Sequence, residues 1–140
     1  MTDYLAKALS ELGVGEYVLR GVPENESQYR RMFHKVIGKD SNGTAIESGD
    51  HTKFGATWTK LTAKMDELKA AEPMRLLRKE RDKKLLETDW WASSDLTMTD
   101  AQKKYRQDLR DITKTANPKI TGDGPSTALD MSSITWPTKP

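Results

Sequence analysis

The stretch EPMRLLRKERDKKLLETDWW, residues 72–91, constrains the fold more than any other part of the chain. Pro73 suits a first helical turn, where a missing N–H costs nothing. Leu76, Leu77, Leu85 and Leu86 supply apolar surface at helical spacing. Glu80 with Lys84, and Lys83 with Glu87, stand four residues apart and can pair along the helix. The helix should weaken at Thr88, and Trp90 and Trp91 follow at once. Two large aromatics at a helix end need a second element to pack on, so the chain must fold back there.

The material for that packing is limited. The chain has 140 residues, about one domain, of which 35% are apolar and 31% charged. Such a balance favours a small core, an elongated helical part, or burial completed by partners. The net charge is only +2. Within residues 61–92, eight basic groups face seven acidic ones, which makes a mixed ion-pair surface. A nucleic-acid binder would concentrate its basic groups on one face, so nucleic acid is a poor expectation. With no cysteine, disulfides, cysteine nucleophiles and cysteine metal sites are excluded; a reducing compartment fits. No apolar run reaches membrane-spanning length, and no membrane partner is expected. The opening MTDYLAKALSELG is amphipathic, lacks the layout of a secretory signal, and reads as mature protein.

Residues 3–12 form a short helix, capped by Thr2 or Asp3, with Leu5, Ala8, Leu9 and Leu12 near one face. Gly13 and Gly15 stop it. Tyr17, Val18 and Leu19 favour a strand. Residues 26–33 are ambiguous: Tyr29, Phe33 and Ile37 have helical spacing, whereas FHKVI looks extended. GKDSNGTAI reads as a hairpin turning at Asn42-Gly43 and returning through Thr44, Ala45 and Ile46. SGDHTKFGA, residues 48–56, is a connection. Thr57 caps a helix whose Trp58, Leu61, Met65 and Leu68 form an apolar stripe. Pro73 marks either a junction between two helices or a bend in one. Thr99 with Gln102 is a capping-box pair. It opens a helix to about Lys114, with Ala101, Tyr105, Leu109 and Ile112 near one face. That helix should fold back beside residues 74–87 as an antiparallel hairpin. The remaining chain is turn-rich, with Ile120, Leu129, Met131, Ile134 and Trp136 as possible contacts for an extended arm. The class is therefore α+β. A small N-terminal antiparallel hairpin or sheet with a flanking helix (1–56) precedes a helical domain containing the helix hairpin (57–115) and an extended C-terminal arm (116–140).

Several side chains stand out. Asp89, at the helix end, can bridge to Arg106 or Arg110, helped by Arg81, as a buried, charge-assisted pair that fixes helix geometry. The alternative is separate solvated charges. Trp90, Trp91 and Tyr105 can present a binding surface, since aromatics and Arg are common binding anchors; burial within the chain is the competing arrangement. His34 and His51 are the only histidines, stand apart across a turn-rich region and lack a convincing acidic ligand pattern, so no zinc site is expected. Asp40, Asn42 and Glu47 lack calcium-loop spacing. There is no phosphate-binding glycine loop, and no nucleophile can be tied to a histidine. The expectation is a non-enzymatic protein with no cofactor, no metal and no catalytic residue.

Three segments occur in order: RLLRKERDKKLLETDWW, MTDAQKKYRQDLRDI and ITWPTKP. Together they resemble the C-terminal region of bacteriophage tail-fibre assembly and tail-assembly chaperone-like proteins, related to modules in virion tail or fibre proteins. The resemblance covers roughly residues 72–140. Arg78, Arg81 and Asp82 carry its first basic-acidic pattern, and Thr88, Asp89 and Trp90 match TDW. Tyr105, Arg106, Gln107, Leu109, Arg110 and Asp111 match YRQxLRD. Trp136 and Pro137 match the terminal WP. The extra Trp91, the short segment before the last helix and the larger N-terminal hairpin region depart from the pattern.

The resemblance implies a structural or assembly role without chemistry. Arg78, Arg81, Asp89, Trp90, Trp91, Tyr105, Arg106, Arg110, Trp136 and Pro137 would then be structural or partner-binding residues. The partners would be phage tail, baseplate or tail-fibre proteins, with a homo-oligomer possible in a symmetric assembly. The expected function is a virion adaptor of the tail or fibre-attachment region, located in the virion tail and in host cytoplasm during assembly. The alternative is a transient assembly chaperone absent from the mature particle.

Overall fold

The computed structural model describes residues 2–122 and 127–140, and side chains from Tyr4 onward within the first helix. The caps expected from the Thr2 or Asp3 side chains therefore lie outside the described residues. The elements confirm an α+β chain. Helix α1 (Thr2–Glu11) precedes strand β1 (Tyr17–Leu19), helix α2 (Glu26–Met32), and strands β2 (Phe33–Lys39) and β3 (Ala45–Ser48). Helices α3 (Trp58–Glu87) and α4 (Asp100–Thr115) follow, then β4 (Ile120–Thr121) and β5 (Ala128–Leu129).

Contacts group the chain into two compact units, residues 1–70 and 71–140, and α3 contributes to both. The sequence divisions at 56/57 and 115/116 follow changes in element type; the contacts follow which core each side chain enters. Pro73 lies inside one continuous α3, so the expected junction between two helices is replaced by the continuous-helix alternative. A proline within a helix removes one backbone hydrogen bond, yet the helix runs on through it.

In the first unit, β1, β2 and β3 form an antiparallel sheet in that order. The ambiguous residues 26–33 resolve in favour of both signals. Asn25 caps α2 by accepting from Gln28 N at 2.9 Å, and the chain switches to strand at Phe33 without a loop. Tyr29 and Phe33, one helical turn apart, keep ring centroids 5.2 Å apart across the switch. The hairpin turns as expected, but through a three-residue loop. Gly43 N bonds to Asp40 O at 3.0 Å, and Asp40 N to Thr44 O at 2.9 Å. Only Gly43 takes positive φ (+80°), which glycine adopts at no steric cost; Asn42 does not, so the tight two-residue turn is absent.

The first core gathers Leu5, Leu9, Tyr29, Phe33, Phe54 and Leu61, with Trp58, Met65 and Leu68 packed against it. The stripe expected on the second half of this unit thus enters a core. Phe54 is the surprise: it lies in the Gly-rich connection and is fully buried, its ring 4.7 Å from that of Phe33. A one-turn 3-10 helix at His51–Lys53, capped by Asp50, turns it inward.

The second unit packs α4 antiparallel to the C-terminal half of α3. Leu77 meets Ile112 in one cluster, and Leu85 packs with Leu109 in another. The expected capping box is formed: Thr99 Oγ1 accepts from Gln102 N at 3.1 Å and Gln102 Oε1 from Thr99 N at 2.9 Å. Tyr105, Leu109 and Ile112 are buried, but Ala101 is exposed, one turn too early to reach α3. The C-terminal arm is tied down. Strands β4 and β5 pair antiparallel, Ile134 is buried, and Trp136 packs against both clusters. Met131, one of the expected contacts, is exposed instead. No helix among the described residues is long and apolar enough to cross a membrane.

Candidate docking surface

The second unit is organised around the end of α3. A helix leaves its last carbonyls without intrahelical donors. Here α4 supplies one from Arg106. Its Nη1 donates to Leu85 O at 2.9 Å and to Thr88 Oγ1 at 2.7 Å, and its Nη2 donates to Asp89 Oδ1 at 2.8 Å. Thr88 is the one fully buried polar side chain in this region, and its hydroxyl in turn donates back toward the Leu85 carbonyl at 3.1 Å. A positive side chain at a helix C-terminus is also favourable to the helix dipole. Arg106 Nε is buried without a protein partner.

Of the two partners considered for Asp89, Arg106 is the one present. The pair is not buried as expected: the Asp89 side chain is 55% exposed and that of Arg106 only 12%. Arg110 faces outward and donates to Gln107 at 3.2 Å. Arg81 turns to its neighbour Asp82 at 2.8 Å and takes no part in the Asp89 bridge. Arg78 is exposed. The residue that sequence reasoning undervalued is Thr88. Its burial was signalled only by a small polar residue at a helix end facing an arginine-bearing helix.

The tryptophan pair divides its work. Trp91 is 5% exposed and packs on Tyr105 at 6.0 Å between centroids, with Lys139 Nζ 5.8 Å from its ring. Burial pushes the Tyr105 phenol above its usual range, and the nearby Glu87 charge adds to the effect. Trp90 is 61% exposed and meets Trp91 edge-to-face. Trp136 lies under Lys84 Nζ, 5.0 Å from the ring centroid, and with Pro137 it lines a cleft beside Ile112. Lys84 is thereby drawn away from Glu80, and neither the Glu80–Lys84 nor the Lys83–Glu87 ion pair forms among the described residues.

The first unit carries a different polar group. Glu47 accepts from Arg20 at 3.0 Å and contacts His34 Nδ1 at 3.1 Å. The Arg20 hydrogen bond, with His34 beside it, holds the Glu47 carboxyl below the usual range. Among the described residues no three His, Asp or Glu side chains cluster to hold a metal ion.

Residues 74–140 match the family model described as phage tail assembly chaperone protein. In comparisons with curated proteins and with solved structures nothing matches. The matched segment begins in α3 and runs through the Arg106 lock, the tryptophan pair and the arm. The match supports a phage structural or assembly role and makes tail-related partners plausible.

Proposed function

We propose that the chain is a phage tail assembly chaperone, acting by protein–protein docking through residues 71–140. The single observation that carries this reading is the match of residues 74–140 to the assembly-chaperone family. The geometry is compatible with it. A fixed aromatic surface built on the Arg106 lock can cover an apolar face of a tail component and release it without covalent change. The work requires no cofactor.

A second reading, the resident adaptor of the tail or fibre-attachment region, is favoured by the division into two units. Each has its own core and its own exposed apolar side chains: Ile37 and Ile46 in the first, Leu86 and Trp90 in the second. Two such faces suit a protein that joins two components. Quantitative mass spectrometry of purified mature virions against infected-cell lysate separates the readings. Abundance in lysate with absence from virions supports the chaperone. A fixed copy ratio to tail components supports the adaptor and overturns the chaperone. Absence from every tail intermediate overturns both.

A further inference from the structure

The sheet of the first unit ends in an open strand. The order β1-β2-β3 leaves β3 (Ala45–Ser48) as an edge, and Ala45, Ile46 and Glu47 are exposed. The hairpin determines which backbone groups of that edge are free. Asp40 N donates to Thr44 O at 2.9 Å, so Thr44 faces β2. Alternation then turns Ile46 and Ser48 toward β2, and aims the N–H and C=O of Ala45 and Glu47 outward. Val36, directly opposite Glu47, gives its own N–H to Glu16 O on the far side of β2, as this pattern requires.

Edge strands are commonly guarded by lysine, proline or a free charge. β3 has neither lysine nor proline. Its one charge, Glu47, is folded back over the sheet to Arg20 at 3.0 Å and His34 at 3.1 Å. Beside the edge, apolar side chains are uncovered. Val36 and Glu47 are directly opposite and share a face, so their neighbours Ile37 and Ile46 share the other. Phe33 enters the core from that same face, whereas Ile37 and Ile46 lie further along the hairpin and are 52% and 43% exposed.

This edge is complementary to itself. Identical antiparallel edges pair about a two-fold axis that passes between a residue and its own copy. Centred on Glu47, the pairing would set like charges opposite each other. Centred on Ala45, it would set Glu47 against Gly43 in the turn. Centred on Ile46, it sets Ala45 against Glu47 on both sides of the axis, so the outward backbone groups of the strand all find partners. It also brings Ile46 against Ile46, with Ile37 of each copy on the same face. We propose that β3 is a self-association edge, through which two copies of the chain pair antiparallel about Ile46 and join their three-stranded sheets into one. A single strand pair is a small contact, in the transient class below about 1,200 Å², so the dimer should dissociate on dilution.

The chain has no cysteine, so single introduced cysteines report the register. At the axis, in a non-hydrogen-bonded pair, the two copies of residue 46 have Cα atoms about 4.5 Å apart, within disulfide range. The two copies of residue 45 are about 8 Å apart, beyond it. Under mild oxidation of the full chain, Ile46→Cys should therefore form a disulfide-linked dimer at least about tenfold faster than Ala45→Cys. Sedimentation equilibrium over a wide concentration range reads the reversible dimer of the native chain. Ala45→Pro removes an outward N–H that β2 does not use, and Ile46→Lys puts a charge at the axis. Each should raise the dimer dissociation constant at least about tenfold. Circular dichroism checks that the variants remain folded.

A native chain that stays monomeric at every concentration would overturn the proposal. So would a dimer unaffected by Ile46→Lys or by Ala45→Pro, or cross-linking at position 45 as fast as at 46. The inference is independent of the tail-assembly readings above: a monomeric chain leaves both standing, and they are decided by the comparison of virions with lysate.

Discussion

Arg106 Nη1 stands 2.7 Å from the hydroxyl oxygen of Thr88, joining α4 to the fully buried polar residue that follows α3. The same nitrogen reaches Leu85 O, and Asp89 takes the other branch of the guanidinium. One side chain thus closes a helix end, orders the turn after it and fixes the antiparallel pair. A planar fork can satisfy three acceptors at once, and a lysine ammonium cannot reproduce that geometry.

The first prediction concerns this lock. Arg106→Lys and Thr88→Val should each destabilise the second unit by about 1–3 kcal/mol, because each leaves a buried polar group short of a partner. Asp89→Asn should cost under about 1 kcal/mol, since Asp89 is half-exposed and solvent screens the pair. Urea unfolding in a Trp58→Phe background follows the second unit alone, because Trp90, Trp91 and Trp136 all lie in it. Equal losses for Asp89→Asn and Thr88→Val would show that the ion pair, not the buried hydroxyl, carries the junction.

The second prediction is alkaline sensitivity of the first unit. Tyr29 is buried, and its hydroxyl donates to Ala56 O at 2.8 Å. Burial raises its pKa from 10.0 to about 12. The folded state therefore holds this proton more tightly than the unfolded state. The associated stability is fully present below pH 10 and is lost as pH rises toward 12, a change on the order of 2 kcal/mol. Tyr29→Phe should cost about 1 kcal/mol at neutral pH, by leaving the Ala56 carbonyl unpaired, and should remove this part of the alkaline slope. Denaturant midpoints of both proteins from pH 8 to 11 provide the check. Parallel curves would mean that other groups control the slope.

A third prediction follows from the capping box. Thr99→Ala removes the acceptor for Gln102 N and should lower stability by about 1 kcal/mol. Thr99→Ser should retain most of it. Thermal unfolding of the two variants decides between a cap and a passive turn.

These sites differ in how far the sequence exposed them, and the difference is physical. The Thr99–Gln102 cap and the Trp58–Leu68 stripe depend on residues a few positions apart, so spacing alone defines them. The Asn42-Gly43 turn was visible as a turn, but its loop length depends on where Asp40 and Thr44 pair across the hairpin. Pro73 could be read as a junction or a bend because its local cost competes with packing of the flanking helical turns. Phe54 could not be read as core from its Gly-rich surroundings; its burial is set by contacts with Tyr29 and Phe33, twenty or more residues away. At the docking surface, the Asp89–Arg106 pairing was one of two register choices for α4. Thr88 was harder, because a threonine at a helix end ordinarily faces water. Which tryptophan of the pair would be buried depends on the 3-10 turn, which sequence periodicity does not encode.

The last prediction separates those two tryptophans. Trp91→Ala should cost about 3–5 kcal/mol, the usual range for emptying a buried aromatic site, because Trp91 packs on Tyr105 and beneath Lys139. Much of the second unit's cooperative unfolding should be lost with it. Trp90→Ala should shift stability by no more than about 0.5 kcal/mol, as for an exposed side chain without a buried partner role. It should nevertheless reduce recovery of tail intermediates with the full chain. Measured together, the unfolding midpoint and that recovery distinguish folding from docking: Trp91→Ala should lower both, whereas Trp90→Ala should lower recovery alone. A large loss of stability in Trp90→Ala would show that its ring supports the fold, and unchanged recovery would remove it from the docking surface.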